Sequence, residues 1–247
     1  MNKIDVVNKL KELRYIKLSE AYAKVINSPE AIKKPFNELL MLMLSYEDDT
    51  LKTNKIKLLL KQTNQTVPTN LDNIDYSSSR NISKELINNL RTLDFIKNAH
   101  NIIITGPTGS GKTFIGTAFG FECCKSTHNV IYYRLPMLLD EISIRRDKGT
   151  YRKFLKKLKK IDLLIIDDLG LSNISIQESR EVLEILEERN RHKSVILISQ
   201  LPFIKWYEMF KDPTIADAII DRIAYNSYKI ELKGESMRKI INVLKTD

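Results

Sequence analysis

The stretch Gly106-Pro107-Thr108-Gly109-Ser110-Gly111-Lys112-Thr113 follows the pattern G-x-x-x-x-G-K-[ST]. An apolar run (102–104) precedes it and helical spacing follows it, so the pattern lies between a strand and a helix. Glycines let backbone N–H groups turn inward, and the N-terminus of the following helix attracts anions. The sequence therefore predicts a P-loop that holds ATP through all eight residues. Lys112 would reach the β- and γ-phosphates, and the Thr113 hydroxyl would bind Mg²⁺.

A second motif, LLIIDD at residues 163–168, lies about 50 residues downstream. A buried strand that ends in two acids places both carboxylates in the ligand crevice of an open α/β sheet. Asp167 is predicted to hold the magnesium shell, and Asp168 to orient or activate the attacking water. Asp168 is one methylene shorter than the Glu that often has this role, which is consistent with slow turnover. The alternative for Asp168 is an N-cap of the following turn.

Apolar strands alternate with helical segments from residue 84 to the C-terminal region. This order is typical of an α/β domain whose parallel sheet is covered on both faces. The predicted strands are 101–105, 130–133, 163–166, 194–198 and 228–232. The predicted helices are 84–97, 114–125, 136–160 with a break at 147–149, 175–192 and 215–224.

The first 62 residues have helical spacing and no strand signal, which predicts a small domain of about three helices. The stretch 63–83 is polar, with Pro68 and a Ser triplet, and has the composition of a linker. We therefore predict an N-terminal helical domain, residues 1–70, for partner or DNA interaction. The P-loop domain would then span residues 71–247.

The formal net charge is +9, which favours an anionic partner such as nucleic acid. Residues 134–160 contain ten basic and three acidic side chains, a net +7. Binding of a phosphate backbone needs this kind of concentration, although a solvated helix face would look similar. The predicted nucleic-acid contacts are Arg134, Arg145, Arg146, Lys148, Arg152, Lys153, Lys156 and Lys157.

Several classes of protein are disfavoured by the sequence. No apolar run approaches the roughly 18 residues of a transmembrane helix. Charges are spread through the N-terminus, unlike in a secretory signal, so a cytoplasmic protein without membrane contact is expected. Cys123 and Cys124 are adjacent and are the only cysteines. They are expected to be small core residues rather than a disulfide or a zinc site.

Two arginines near the C-terminal end are candidates for the γ-phosphate. Arg222 lies in a predicted helix, and Arg238 follows Gly234-Glu235-Ser236. Arginines at the end of a P-loop domain can act on ATP in the same chain or in a neighbouring subunit. From their spacing alone, an ordinary salt bridge is the default for both.

The motifs together resemble a known family. YRL (133–135), ISQLP (198–202), DPTIADAIIDR (212–222) and ELKGESMRK (231–239) follow the P-loop and the acidic strand in that order. The chain resembles the IstB family, the ATP-binding helper proteins of insertion-sequence transposition, over residues 74–240. More distantly it resembles the DnaC-type helicase loaders of the same AAA+ clade.

The resemblance implies an AAA+ P-loop domain with strand order 5-1-4-3-2. Gln200 would be at the sensor position, Arg222 would be an arginine finger for a neighbour's ATP, and Arg238 would be a second sensor. The family implies a homo-oligomer with ATP between subunits, bound to double-stranded DNA and acting with the transposase of the same element. Two alternatives remain: a loader of a replicative helicase, and a nucleotide switch that binds ATP without hydrolysing it.

Overall fold

Five parallel strands form the central sheet of the larger part of the chain. The computed structural model describes residues 2–29, 34–171 and 174–237. The strands are β1 (Asn101–Thr105), β2 (Val130–Arg134), β3 (Leu163–Leu169), β4 (Ser194–Ser199) and β5 (Ser227–Glu231). Their order is β2-β3-β4-β1-β5, and all neighbours are parallel. This order is the predicted 5-1-4-3-2 read from the other edge, so the predicted AAA+ α/β fold is confirmed.

Helices cover both faces of this sheet. They are α4 (Lys84–Arg91), α5 (Asp94–Lys97), α6 (Lys112–Lys125), α7 (Leu135–Asp147), α8 (Tyr151–Lys160), α9 (Ile176–Arg189), α10 (Trp206–Met209) and α11 (Pro213–Ala224). Alternate strand residues, such as Ile103 and Leu197, belong to one core with helices α7 to α11. Their neighbours Ile104 and Ile198 face α6, where a Cβ on Gly116 would lie 2.5 Å from Ile198 Cδ1. Gly116 therefore lets α6 pack close to the sheet.

The helices and strands differ from the prediction at two places and agree with it at a third. The helix expected at 84–97 is broken at Leu93, whose φ of 62° is in the left-handed region. The break predicted at 147–149 within the helix expected at 136–160 is confirmed, since α7 ends at Asp147, α8 begins at Tyr151 and Gly149 between them has a φ of 64°. Strand β3 is longer than predicted, because it continues through both acids to Leu169. Both cysteines are buried, as expected for core residues.

The N-terminal residues form a helical unit. It contains α1 (Lys3–Glu12), α2 (Ile16–Ile26) and most of α3 (Phe36–Thr63). At the start of α1 the Asp5 carboxylate accepts a 2.8 Å hydrogen bond from the Asn2 N–H, which is one of the two bonds of a capping box. Ala21 and Val25 of α2 pack with Met43 of α3 in a small apolar cluster.

The chain divides into two compact units, residues 1–57 and residues 58–247. The division lies inside α3 rather than in the polar stretch 63–83. The end of α3 belongs to the second unit, where Gln62 Oε1 accepts a hydrogen bond of 3.1 Å from the N–H of Tyr132 on the edge strand β2. This bond satisfies a donor that the sheet leaves free. The functional division at residue 70 stays a prediction.

The strand register brings the two sequence motifs to one edge of the sheet. Thr105, next to the P-loop, is aligned with Ser199 of β4. Arg134 at the end of β2 is aligned with Asp167 of β3. Because all five strands are parallel, their carboxyl ends share this edge, and the candidate site forms there.

Candidate functional site

The P-loop turns directly into helix α6. Gly111 precedes the helix with a φ of 92°, a conformation that favours glycine. Lys112 is only 8% exposed, and its Nζ donates a 2.8 Å hydrogen bond to the carbonyl oxygen of Pro107 across the loop. The ammonium group therefore lies over the loop at the helix N-terminus, where backbone N–H groups also favour an anion.

Thr113 and Asp167 are in direct contact. The Thr113 hydroxyl donates a 2.7 Å hydrogen bond to Asp167 Oδ2, and the Tyr132 hydroxyl donates to the same oxygen at 3.0 Å. Asp167 is 3% exposed, and burial raises the pKa of its carboxyl above the usual range. A hydroxyl and a carboxylate oxygen are ligands that Mg²⁺ accepts, and a cation here would favour the ionised carboxylate. The residues therefore fit a magnesium ion.

Asp168 has different surroundings from its neighbour. Its backbone N–H donates a 2.7 Å hydrogen bond to Asp167 Oδ1, and its φ is 62°. Its carboxylate forms an ion pair with Arg134 at the end of β2. It does not cap helix α9, which begins after Ser175. Arg134, predicted to contact nucleic acid, thus lies at the site of the predicted catalytic carboxylate.

Gln200 contacts the P-loop from the end of β4. Its Oε1 accepts a 2.6 Å hydrogen bond from the Thr108 hydroxyl. The preceding residue, Ser199, donates from Oγ to the carbonyl oxygen of Leu169 at 2.7 Å. Strands β3 and β4 are thus tied together beside the site, and Gln200 lies next to the loop that the sequence predicts to hold phosphates.

A cavity of about 330 Å³ opens beside the P-loop. Gly109, Gly111, Lys112 and Thr113 of the loop line it together with Asn73, Ile74, Arg80, Phe114, Ile115 and Met237. Three of these residues come from the stretch that the sequence marks only as a linker. Arg80 and Tyr132 are the site residues that sequence reasoning missed, since no motif surrounds either of them.

Arg222 lies in a different cavity of the same unit. This cavity, of about 440 Å³, is lined by Asn190, Arg191, Asp221, Arg222, Tyr225 and Asn226. Arg222 Nη2 is 2.6 Å from Glu187 Oε1, and Nη1 donates to the carbonyl oxygen of Ala218. None of these residues lines the cavity beside the P-loop. Arg238 lies outside the described residues.

The predicted nucleic-acid residues fall into two groups. The four arginines are paired with acids: Arg134 with Asp168, Arg145 with Glu141, Arg146 with Glu181, and Arg152, at 4.0 Å, with Glu184. The four lysines are exposed and have no acidic partner among the described residues: Lys148, Lys153, Lys156 and Lys157. Three of these lysines lie on α8, whose other face buries Tyr151, Phe154, Leu155 and Leu158.

The fold and the site define a P-loop nucleotide-binding protein of the AAA+ class. The model of the family described as "IstB-like ATP binding protein" matches residues 8–243. The chain belongs to this IstB-like family. In the described residues, no helix is long and apolar enough to cross a membrane.

Similar proteins agree with this assignment. Over 240 residues the chain is 33% identical to the insertion sequence ATP-binding protein y4uH of Sinorhizobium fredii, covering 97% of each protein. It is 34% identical to protein y4pL of the same organism, of similar description, over 94% of this chain and 95% of that one. The crystal structure of the DnaC helicase loader superposes with a TM-score of 0.59 at 20% identity, over 67% of this chain and 97% of that chain. This last match shows a shared fold.

Proposed function

We propose that this protein is a magnesium-dependent ATPase. The observation that carries the proposal is the 2.7 Å hydrogen bond from the Thr113 hydroxyl to Asp167 Oδ2. It joins the P-loop to the acidic strand, two motifs 54 residues apart in the chain. Membership of the IstB-like family and a cavity beside the loop support ATP as the ligand.

Each residue of the site has a distinct role in this proposal. The loop from Gly106 to Thr113 binds the phosphates through backbone N–H groups, and Lys112 neutralises their charge. Thr113 and Asp167 hold Mg²⁺, which supplies charge neutralisation at the β- and γ-phosphates. Asp168 orients or deprotonates the attacking water, and Gln200 lies beside the γ-phosphate region as a sensor.

Hydrolysis requires a second subunit in this proposal. Arg222 lies in a cavity that shares no residue with the one beside the P-loop. An arginine that reaches the ATP of a neighbouring copy would stabilise charge on the transferred phosphoryl group. The ATP sites then lie between subunits of a homo-oligomer, and Arg238 would add a second sensor.

Double-stranded DNA is the proposed nucleic-acid partner. The unpaired lysines of α8 lie on the exposed face of this amphipathic helix, and such a row of charges suits a phosphate backbone. Relatives at 33–34% identity are named as insertion sequence ATP-binding proteins. We infer that the oligomer assists transposition by recruiting or stimulating a transposase, with the helices of residues 1–70 as the partner-binding region.

Retention on immobilised duplex DNA tests this function. With ATP and Mg²⁺ the wild-type chain should be retained, and Lys112→Ala should be lost from the DNA because the phosphates lose their main cation. Lys125→Ala is the matched control, since Lys125 is on the same helix and pairs with Glu122 at the surface. Equal retention of Lys112→Ala and wild type would contradict the mechanism. Stronger retention on single-stranded than on duplex DNA would favour the helicase-loader alternative.

A further inference from the structure

Arg80 is a buried cation beside the P-loop that no motif marks. It closes a short 3-10 turn, Ser78–Arg80, just before α4. The residue is 7% exposed and lines the same cavity as Lys112 and Thr113. Its own carbonyl oxygen accepts a 3.1 Å hydrogen bond from the N–H of Lys233, after strand β5. The backbone after β5 therefore helps to hold Arg80 in place.

The guanidinium group of Arg80 donates to carbonyl oxygens rather than to a close carboxylate. Nη2 donates to the carbonyl oxygen of Ser110 at 2.5 Å, and Nη1 donates to that of Asp75 at 3.1 Å. The Asp75 carboxylate is 4.0 Å away and about half exposed. This ion pair is as long as that of Arg152 with Glu184, and its acid is partly solvated, so it offsets only part of the cost of burying the guanidinium charge. The cation therefore suits an anion in the cavity that it lines.

The bond to Ser110 also fixes part of the phosphate-binding backbone. The peptide unit between Ser110 and Gly111 is planar and trans, so a fixed Ser110 carbonyl also fixes the Gly111 N–H. A Cβ on Gly111 would lie 2.9 Å from Arg80 Nη2. Because glycine has no Cβ, it can adopt the positive φ at position 111 and also leaves room for the guanidinium group of Arg80.

We propose that Arg80 is a positioning residue of the nucleotide site that orients the Ser110–Gly111 peptide and adds a second buried positive charge beside the phosphates. The proposal rests on the proposed ATP-binding function. Lys112 and Arg80 hold two different carbonyl oxygens of one loop, those of Pro107 and Ser110. The loop is thus hydrogen-bonded by one cation from its own helix and by one from the segment before α4.

Affinity measurements with ATP and ADP on full-length variants test this role. Arg80→Gln keeps a donor but removes the charge, and it should weaken binding of both nucleotides about tenfold or more, because charge-assisted hydrogen bonds are the strong ones. Arg80→Lys keeps the charge and should recover at least about half of that loss on a logarithmic scale. Arg91→Gln is the matched control, since Arg91 pairs with exposed Asp72 and does not line the cavity.

Three outcomes would overturn the proposal. Affinity of Arg80→Gln within about twofold of wild type would show that the cation does not act on the phosphates. If Arg80→Lys binds nucleotide no more tightly than Arg80→Gln, the positive charge at this position does not contribute to binding. The third outcome concerns the melting temperature without nucleotide. If both Arg80→Gln and Arg80→Lys melt below the assay temperature, Arg80 is needed for folding rather than for nucleotide binding. A wild-type chain that binds neither nucleotide would instead contradict the proposed function itself.

Discussion

Asp167 and Asp168 are adjacent in the chain but differ in burial and in partners. Asp167 is enclosed and receives hydrogen bonds from Thr113 and Tyr132. Asp168 is half-buried and pairs with Arg134, and the hydrogen bond between them raises the pKa of that guanidinium group. Identical side chains therefore have separate proposed roles, one in holding a cation and one in acting on water. Asp168 also has a φ of 62°, in the left-handed region.

Asp168→Asn is expected to separate binding from hydrolysis. Asparagine tolerates the left-handed conformation, so the backbone should be kept while the base is lost. Phosphate release at saturating ATP with duplex DNA should fall about a hundredfold or more. The ATP affinity should stay within about threefold, because Asp168 is not part of the loop.

Asp140→Asn is the matched control for this experiment. Asp140 is an exposed carboxylate that lines the same small cavity as Asp168, and its neutralisation should leave phosphate release unchanged. Equal rates of phosphate release for Asp168→Asn and wild type would show that Asp168 takes no part in the reaction. If the wild-type chain itself releases no phosphate with DNA, the nucleotide switch without hydrolysis becomes the better description.

At the scale of elements, strand β2 and helix α8 connect the nucleotide site to the basic region. Strand β2 supplies Tyr132 to Asp167 and Arg134 to Asp168. The chain then runs through α7 into α8, which carries unpaired lysines on its exposed face. Only the structure separates these lysines from the paired arginines, because the same 134–160 stretch contains both. We therefore expect the lysines of α8 to contribute more to DNA affinity than the arginines of α7.

Lys156→Gln and Lys159→Gln form a matched pair on α8. Lys156 has no acidic partner among the described residues, whereas Lys159 Nζ is 2.8 Å from Glu188 Oε2. If Lys156 contacts a phosphate, its loss should weaken duplex binding for all sequences and reduce the slope of log K against log salt by about 0.9. Lys159→Gln should change the slope much less. Equal slopes for Lys156→Gln and wild type would place the DNA on another surface.

At the scale of the whole molecule, the P-loop and Arg222, the proposed arginine finger, line separate cavities. Lys112 and Thr113 line one, and Arg222 lines the other, held by Glu187. A single copy therefore does not bring its arginine to its own P-loop in this structure. A site shared between copies would make hydrolysis depend on assembly.

Mixing two inactive variants tests for such a shared site. Lys112→Ala should not bind ATP but still presents Arg222, and Arg222→Ala should bind ATP but lacks the arginine. Their mixture should hydrolyse ATP well above the sum of the separate rates. The reason is that some interfaces then combine the intact P-loop of the Arg222→Ala chain with the intact Arg222 of the Lys112→Ala chain. Mixing Arg222→Ala with the double variant Lys112→Ala, Arg222→Ala is the control and should give no recovery. No recovery in the first mixture would contradict hydrolysis across subunits.

The sequence predicted much of this protein because its strongest signals are local. The P-loop pattern, the apolar strand that ends in two acids and the alternation of strands and helices follow from neighbouring residues. The parallel sheet and the buried cysteines agree with what the sequence predicts. The structure also brings together Thr113 and Asp167, the two residues predicted to hold magnesium. The IstB-like resemblance, which the family match confirms, rests on motifs of the same local kind.

What only the tertiary structure decided depends on contacts between distant residues. Arg80 reaches Ser110 across 30 positions of sequence, and Tyr132 reaches Asp167 across 35. The pairing of Arg134 with Asp168, and the division of the basic residues into paired and unpaired groups, are of the same kind. Such contacts are set by strand order and by the packing of whole elements, to which no short pattern of residues corresponds. The P-loop can therefore be predicted from the sequence, whereas the distant residues that contact it are identified only in the folded structure.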